Sequence, residues 1–380
     1  MQHHAEEMLG MSMSEPAATG LTAKAESVAK LAFERAMAAE RARQLSPEVI
    51  EAVVDAGFAR HFVPARWGGD DGTFTDALSA VAAVGQGCTS AAWCASLTAS
   101  LGRMASYLPD EGQGELWADG PDTVVVGGLM PTGLAERVPG GWTLSGRWSY
   151  VSLADASAWA LLCGVAEGDE LRFFAVPREQ YRIEDTWRSV GMRATGSNSV
   201  SVTGLFVPES RSVSRAALDR GQAPHPDAVC RRVPLRAVNC LSFAAPIVGA
   251  GQGALRVWTE ETARRAAPAD NAWSADVLAR TSGELDAAWL LLERAARSAD
   301  ALLVSSWHIA RSTRDCAFGA DAAVQAVTRL LRASGTGAQD ESAPLQRMWR
   351  DVTAADTHLV LRWDAAATAF ARQALLTSGG

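Results

Sequence analysis

The spacing of apolar residues divides the chain into three parts. From Thr22 to about Trp117 apolar positions recur at helical intervals: Val28, Leu31, Ala32 and Ala36 in one Ala-, Glu- and Arg-rich stretch, then Val49, Ile50, Val53 and Val54 in the next. Ser46 suits the cap of that second helix, Pro47 its first turn and Gly57 its stop. Phe62-Val63-Pro64 through Gly68-Gly69 reads as a turn-rich crossing and Phe74 to Val84 as a further helix. Ala91 to Tyr107, capped by Thr89 or Ser90 and carrying Trp93, is the next. Between Val124 and Pro208 the pattern shortens to strand-like runs, Trp159 to Cys163, Leu171 to Val176 and Val200 to Val207, with a turn at Pro139-Gly140-Gly141.

Helical periodicity returns at Val233. Arg236 to Arg265 contains Gly249, Gly251 and Gly253, small residues that permit close helix approach. Asn271 to Ser306 turns Leu278, Leu285, Ala288, Leu291 and Leu292 inward, and Asp321 to Ala333 and Pro344 to Leu376 follow. Long helices on short loops predict a bundle. The fold class is thus α+β, mostly α: an N-terminal helical domain over 22–117, a central β-domain over 118–210 and a C-terminal four-helix bundle over 233–380. Residues 1–21 read as a disordered leader.

Composition excludes several classes. A net charge of −8 over 380 residues argues against a nucleic-acid partner. Six scattered cysteines without a CxxC pair, mostly in apolar surroundings, predict buried reduced thiols in a cytoplasmic protein. The histidines are dispersed, apart from His3-His4, so no metal site is expected. No apolar run approaches the roughly twenty residues of a membrane span, and Met1 to Ser14 lacks the apolar core of a signal peptide. Thirteen tryptophans are many for this length and point to a pocket for a flat ligand.

Two segments of the β-domain suit a flat, polar-edged ring: Gly146 to Ser152, and Asp185-Thr186-Trp187 followed by Gly191 to Ser197. Trp148 and Tyr150 either pack on such a ring or fill the core, and Trp93 carries the same ambiguity. Thr195 and Ser197 offer hydroxyls and backbone donors to it, or simply make the turn. Arg264 and Arg265 either reach a phosphate across a subunit boundary or lie on a solvated helix face. Gly249-Ala250-Gly251-Gln252-Gly253 has no strand before it, so the chain is not expected to bind a nicotinamide itself.

Helical block, β-domain and bundle in that order resemble the acyl-CoA dehydrogenase fold, as do Gly335-Thr336-Gly337 and Pro344-Leu345-Gln346-Arg347-Met348-Trp349-Arg350-Asp351. Gly140 to Ser152, Cys88-Thr89-Ser90-Ala91-Ala92-Trp93, Gly191 to Ser197 and Arg350-Asp351 with His358 more closely resemble the reduced-flavin-dependent two-component (group D) monooxygenases built on that fold. The resemblance spans about Leu31 to Leu376 and is specific as a set of motifs. It implies reduced FAD as cofactor, with FMN possible, delivered by a separate flavin reductase. It also implies dioxygen as co-substrate and hydroxylation of an aromatic small molecule through a flavin C4a-hydroperoxide. Bundle faces rich in Ala and Leu with small-residue contacts predict a homotetramer or at least a dimer, with flavin near a subunit interface.

The family places a histidine at the His358 position facing the flavin C4a edge, where an imidazole of ordinary pKa, about 6.5, could donate to oxygen or manage a proton. The alternative is a silent core histidine. Ser152 sits where these enzymes put a hydroxyl near flavin N5, or is an ordinary strand-end serine. Acyl-CoA dehydrogenases need a carboxylate base, but that position falls at or beside Leu359, and Arg236 to Leu255 holds no acid. Asp356 serves only if the helix register slips. Related phenol hydroxylases carry a histidine within about two turns after the Trp93 position; here Thr98 to Gly102 has none, and their polar residue near Gly127-Gly128 is missing. An apolar, roomier pocket for an indole or polyketide-like aromatic is therefore expected, with N-hydroxylation of an amine or amino sugar as the alternative within the family.

Overall fold

A computed structural model describes residues 20–265 and 272–377. The leader expected over 1–21 lies outside these residues except at its end, where Gly20 and Leu21 already belong to the first helix. The N-terminal helices are α1 (Gly20–Ala42), α2 (Pro47–Ala56), α3 (Phe74–Gly85), α4 (Thr89–Ala105) and α5 (Asp110–Leu116). Cys88 rather than Thr89 or Ser90 occupies the α4 cap position, with extended backbone and no side-chain bond.

Seven strands follow, β1 (Val125–Val138), β2 (Gly141–Val151), β3 (Trp159–Val165), β4 (Leu171–Pro177), β5 (Arg182–Glu184), β6 (Asn198–Pro208) and β7 (Ser212–Ser214). They form one sheet in the order β5-β6-β2-β1-β3-β4-β7, with only β1 and β3 parallel. β1 and β2 make a hairpin whose turn uses Gly140 at φ +82°, a conformation glycine adopts without a Cβ clash. β3 and β4 are buried on both faces: Leu162, Phe174 and Val176 join the main core, while Leu161, Cys163, Phe173 and Ala175 pack against α4 and α5. This alternation is the period-2 pattern of a strand with no wet face.

After a short α6 (Arg215–Arg220) come α7 (Leu235–Arg265), α8 (Ala272–Asp300), α9 (Ser306–Ala333), α10 (Pro344–Ala355) and α11 (Trp363–Thr377). The bundle crosses α3 at glycine contacts. A Cβ on Gly249 would stand 2.3 Å from the Ala82 carbonyl oxygen, and one on Gly253 2.2 Å from that of Gln86, so the α3 and α7 backbones touch. The Leu235–Arg264 stretch is long and apolar enough to cross a membrane, contrary to expectation, and 78% of its apolar window is buried inside the protein.

Three expected helices differ from those observed: the one expected over Asn271 to Ser306 ends at Asp300. α9 begins at Ser306 rather than Asp321, because Ser305 caps it by accepting from the His308 N–H. The stretch Pro344 to Leu376 is not one helix: it stops at Ala355 and resumes at Trp363. The break is made by side chains. Thr357 Oγ1 donates to the Ala354 carbonyl (2.7 Å), and His358 Nδ1 accepts from the Val360 N–H (3.4 Å), capping a 3-10 turn over Leu359–Leu361. His358 therefore sits in a loop between two helices, free of the α10 register.

Candidate active site

β2 ends on a bulge between Trp148 and Val151, and the bulge sends Trp148 and Tyr150 to different places. Trp148 is 1% exposed, and its indole N–H donates to the Cys163 carbonyl (2.7 Å). It occupies a slot left by three glycines: Cβ atoms on Gly128, Gly133 and Gly146 would meet its side chain at 2.7, 2.3 and 2.7 Å. Trp148 is thus a core residue that offers no face to a ligand. Tyr150, at φ +65°, stands 74% exposed with its ring edge-on to Trp187 at 6.1 Å. A left-handed conformation at a bulky residue costs about 1 to 3 kcal/mol and is typical of sites where function sets the geometry.

Ser152, two residues on, begins a chain of hydroxyls. The Trp93 Nε1–H donates to Ser152 Oγ (3.2 Å), Ser152 and Ser197 hydroxyls are 2.9 Å apart, Ser197 and Thr195 2.6 Å, and Thr195 Oγ1 donates to the Met192 carbonyl (2.8 Å). Both ends fix the direction. Thr195 gives its hydrogen to Met192, so it accepts from Ser197, which in turn accepts from Ser152. Every hydrogen runs the same way, and such chains reinforce themselves by mutual polarisation. Thr195 and Ser197 are buried within this chain, and Ser152 is its outermost hydroxyl.

The far end of the chain is tied to both helical blocks. The Met192 N–H donates to Asp351 Oδ1 (2.6 Å) on α10. Arg350 pairs with Glu40 of α1 and donates to the Val190 carbonyl. A Cβ on Gly191 would stand 2.1 Å from the Arg350 carbonyl oxygen, so only glycine fits this crossing. Burial pushes the Asp351 carboxyl up to about 6, against the Met192 N–H and the Arg347 charge. The Arg350-Asp351 pair and the Gly191 to Ser197 segment, far apart in sequence, are therefore one structural unit.

His358, like Ser152, lies against Trp93. Its ring stacks on Phe243 of α7 (centroids 3.8 Å, 22°) and meets the Trp93 ring edge-on at 5.6 Å, while Trp93 and Phe243 are 5.0 Å apart. Burial alone drives its pKa down to about 4. The imidazole is neutral at physiological pH, and with Nδ1 accepting from Val360 the remaining hydrogen is assigned to Nε2. The expected pKa near 6.5 is corrected: His358 is a neutral hydrogen-bond donor. Its nuclear magnetic resonance ring signals, identified by difference against His358→Asn, should hold their shifts from pH 8 to pH 5.5. Movement centred near pH 6.5 would refute the buried-neutral state. Folding stability from this neutral ring is complete above pH 6.5 and is lost as pH falls through 4.

Trp93, Ser152 and His358 are thus brought together, with Thr195 and Ser197 behind Ser152 and Tyr150 at the rim. Arg264 lies apart, exposed and beside Glu260, in keeping with a solvated face; the side chain of Arg265 lies outside the described residues. Phe243 was missed, because an aromatic in a long apolar helix reads as core. Beside Phe243 a cavity of about 50 Å³ runs between α3, α4 and α7, lined by Leu97, Ser100, Leu129, Ser242 and others. It is narrower than the roomy pocket expected, and well under the roughly 150 Å³ that holds a benzene. The residues that could meet a flat, polar-edged ring are Tyr150, which is exposed, and Ser152 and His358, which both lie against Trp93.

Residues 241–363 match the family of the acyl-CoA dehydrogenase C-terminal domain. The flavin-dependent monooxygenase oxygenase subunit HsaA of Rhodococcus jostii is 31% identical over 86% of this chain and 90% of its own length. The indole-3-acetate monooxygenase of Pseudomonas putida is 34% identical over 81% of this chain and 77% of its own. Among solved structures, XiaF from Streptomyces sp., in complex with FADH2 and glycerol, superposes with a TM-score of 0.84 at 26% identity, covering 92% of this chain and 93% of that one.

Proposed function

From the premise that this chain belongs to the flavin-dependent two-component monooxygenases, as an oxygenase component of acyl-CoA dehydrogenase fold, we propose that it hydroxylates an indole-like aromatic at the Trp93–Ser152–His358 site. The enzyme uses reduced flavin supplied by a separate reductase, together with dioxygen. Reduced FAD is the form we propose, on the likeness to XiaF. The observation that carries the site is the meeting of Ser152 and His358 around Trp93.

Reduced flavin, when bound, supplies electrons that activate dioxygen. The chain's own residues hold the reaction in place. Tyr150 would carry the ring's face and Ser152 Oγ its polar edge, with the hydroxyl chain to Thr195 fixing that oxygen. The His358 Nε2–H would donate to oxygen, and the Phe243 and Trp93 rings exclude water and keep the imidazole neutral. We further propose a cytoplasmic homotetramer. The six described cysteines are all free and buried, and exposed Leu290, Phe318 and Trp363 give the bundle apolar surface for subunit contact.

The test is direct. Enzyme mixed with pre-reduced FAD, oxygen and an indole should form hydroxylated product while oxidising no NADH alone. Bleaching of oxidised flavin by an acyl-CoA, with no oxygenated product, would sink the reading in favour of a dehydrogenase.

A further inference from the structure

The cavity between α4 and α7 has a mostly apolar wall, with Phe62, Leu78, Val81 and Leu97 among its residues. Three polar side chains interrupt that wall where the two helices face each other: Ser100, Ser242 and Asn239. Ser96 Oγ donates to the Ser242 carbonyl (2.8 Å), and the Ser100 and Ser242 hydroxyls are 2.7 Å apart. Ser242 directly precedes Phe243, whose ring stacks on His358, so the hydroxyl pair stands at the active-site end of the cavity. Asn239 lies three residues before Ser242, about one turn away on the same face of α7.

These groups have hydrogen-bonding capacity left over. The two serine hydroxyls share one hydrogen between them, which leaves the other free to donate. The Asn239 carboxamide, with two N–H hydrogens and one carbonyl oxygen, takes part in no hydrogen bond among the described residues. It is half-buried against apolar side chains, where an amide without a partner is costly. The cation bordering the cavity is not available to an arm entering from Phe243. Arg103 donates to the Cys230 and Val233 carbonyls ahead of α7 and to Tyr107 Oη, which holds its guanidinium away from Trp93. A charged arm would therefore give up its water without gaining an ion pair.

The missing partner is thus a neutral group that both donates and accepts, small enough for a cavity of about 50 Å³. A carboxamide meets each requirement: its carbonyl accepts the free serine hydrogen and its N–H groups donate to the Asn239 carbonyl. We propose that this cavity holds a carboxamide carried on an arm of the aromatic substrate, with Asn239 as the residue that selects it and the Ser100–Ser242 pair as its second contact. The inference rests on the monooxygenase reading and narrows its substrate to neutral, amide-bearing aromatics.

The probes are indole-3-propanamide, the acid indole-3-propanoate and the hydrocarbon isostere 3-(3-methylbutyl)indole, titrated calorimetrically against the full-length enzyme without flavin. The amide should bind roughly tenfold tighter than the acid. Asn239→Leu, which keeps the side chain's shape, should weaken the amide roughly tenfold while the hydrocarbon binds as well or better. Ser242→Ala should weaken the amide by a smaller factor, which covers the case in which the leucine variant does not fold. An acid that binds more tightly than the amide, or binding of none of the three, would overturn the proposal. So would an amide affinity unchanged in Asn239→Leu, which would leave Asn239 a residue that holds only water. The two readings fail separately: oxygenated product without an Asn239-dependent amide preference refutes the amide pocket alone, and that preference with no oxygenated product refutes the monooxygenase site alone.

Discussion

His358→Ala is expected to lower the product formed per reduced flavin oxidised by about 100-fold, the lower end of what a positioned proton donor contributes. The ring's state sets the effect. A neutral imidazole with hydrogen on Nε2, pressed between Phe243 and Trp93, is a fixed donor that does not have to lose a proton to water before acting. Alanine removes the donor and opens a space that water can enter. His358→Asn restores an N–H of similar reach and should recover part of the loss. Product yield measured by chromatography in single-turnover mixing decides the matter. A yield in the alanine variant equal to the parent's would make His358 a packing residue of the loop.

The second large effect is at Ser152. Ser152→Ala removes the outermost hydroxyl and leaves both the Trp93 N–H and Ser197 without their partner. A lost hydrogen bond of about 1 to 3 kcal/mol, if made fully where oxygen reacts, corresponds to roughly tenfold to a hundredfold faster release of hydrogen peroxide in place of product. The two variants separate the roles. His358→Ala should lower product, whereas Ser152→Ala should raise peroxide. Peroxide assayed with and without an aromatic substrate reads the difference, and an unchanged peroxide yield in Ser152→Ala would leave that serine a strand-end residue.

Much of this was legible in the chain. Helical spacing before Trp117 and after Val233, with strand-like runs between, matches the order of elements, and the glycines of α7 meet α3 as their size implies. Other features were not, for identifiable reasons. Nothing between Ala354 and Arg362 is a glycine or proline, so Thr353-Ala354-Ala355-Asp356-Thr357-His358 reads as helix; the stop is written in Thr357 and His358 bonding back to the main chain. Trp148 and Tyr150 are two apart and should share a strand face, but the bulge after Trp148 separates them.

The slot around Trp148 carries a lesson for how this protein can change over time. Gly128, Gly133 and Gly146 are empty so that one indole can be present, and the indole fills what they leave. None of the four can be altered to advantage alone: a methyl at any glycine collides with the ring, and a smaller residue at 148 opens a hole beneath β2. Such a set mutates together or not at all. Because β2 ends at Val151, with Tyr150 near that end and Ser152 directly after it, any change in where β2 delivers the Ser152 hydroxyl is tied to four positions packed on one another.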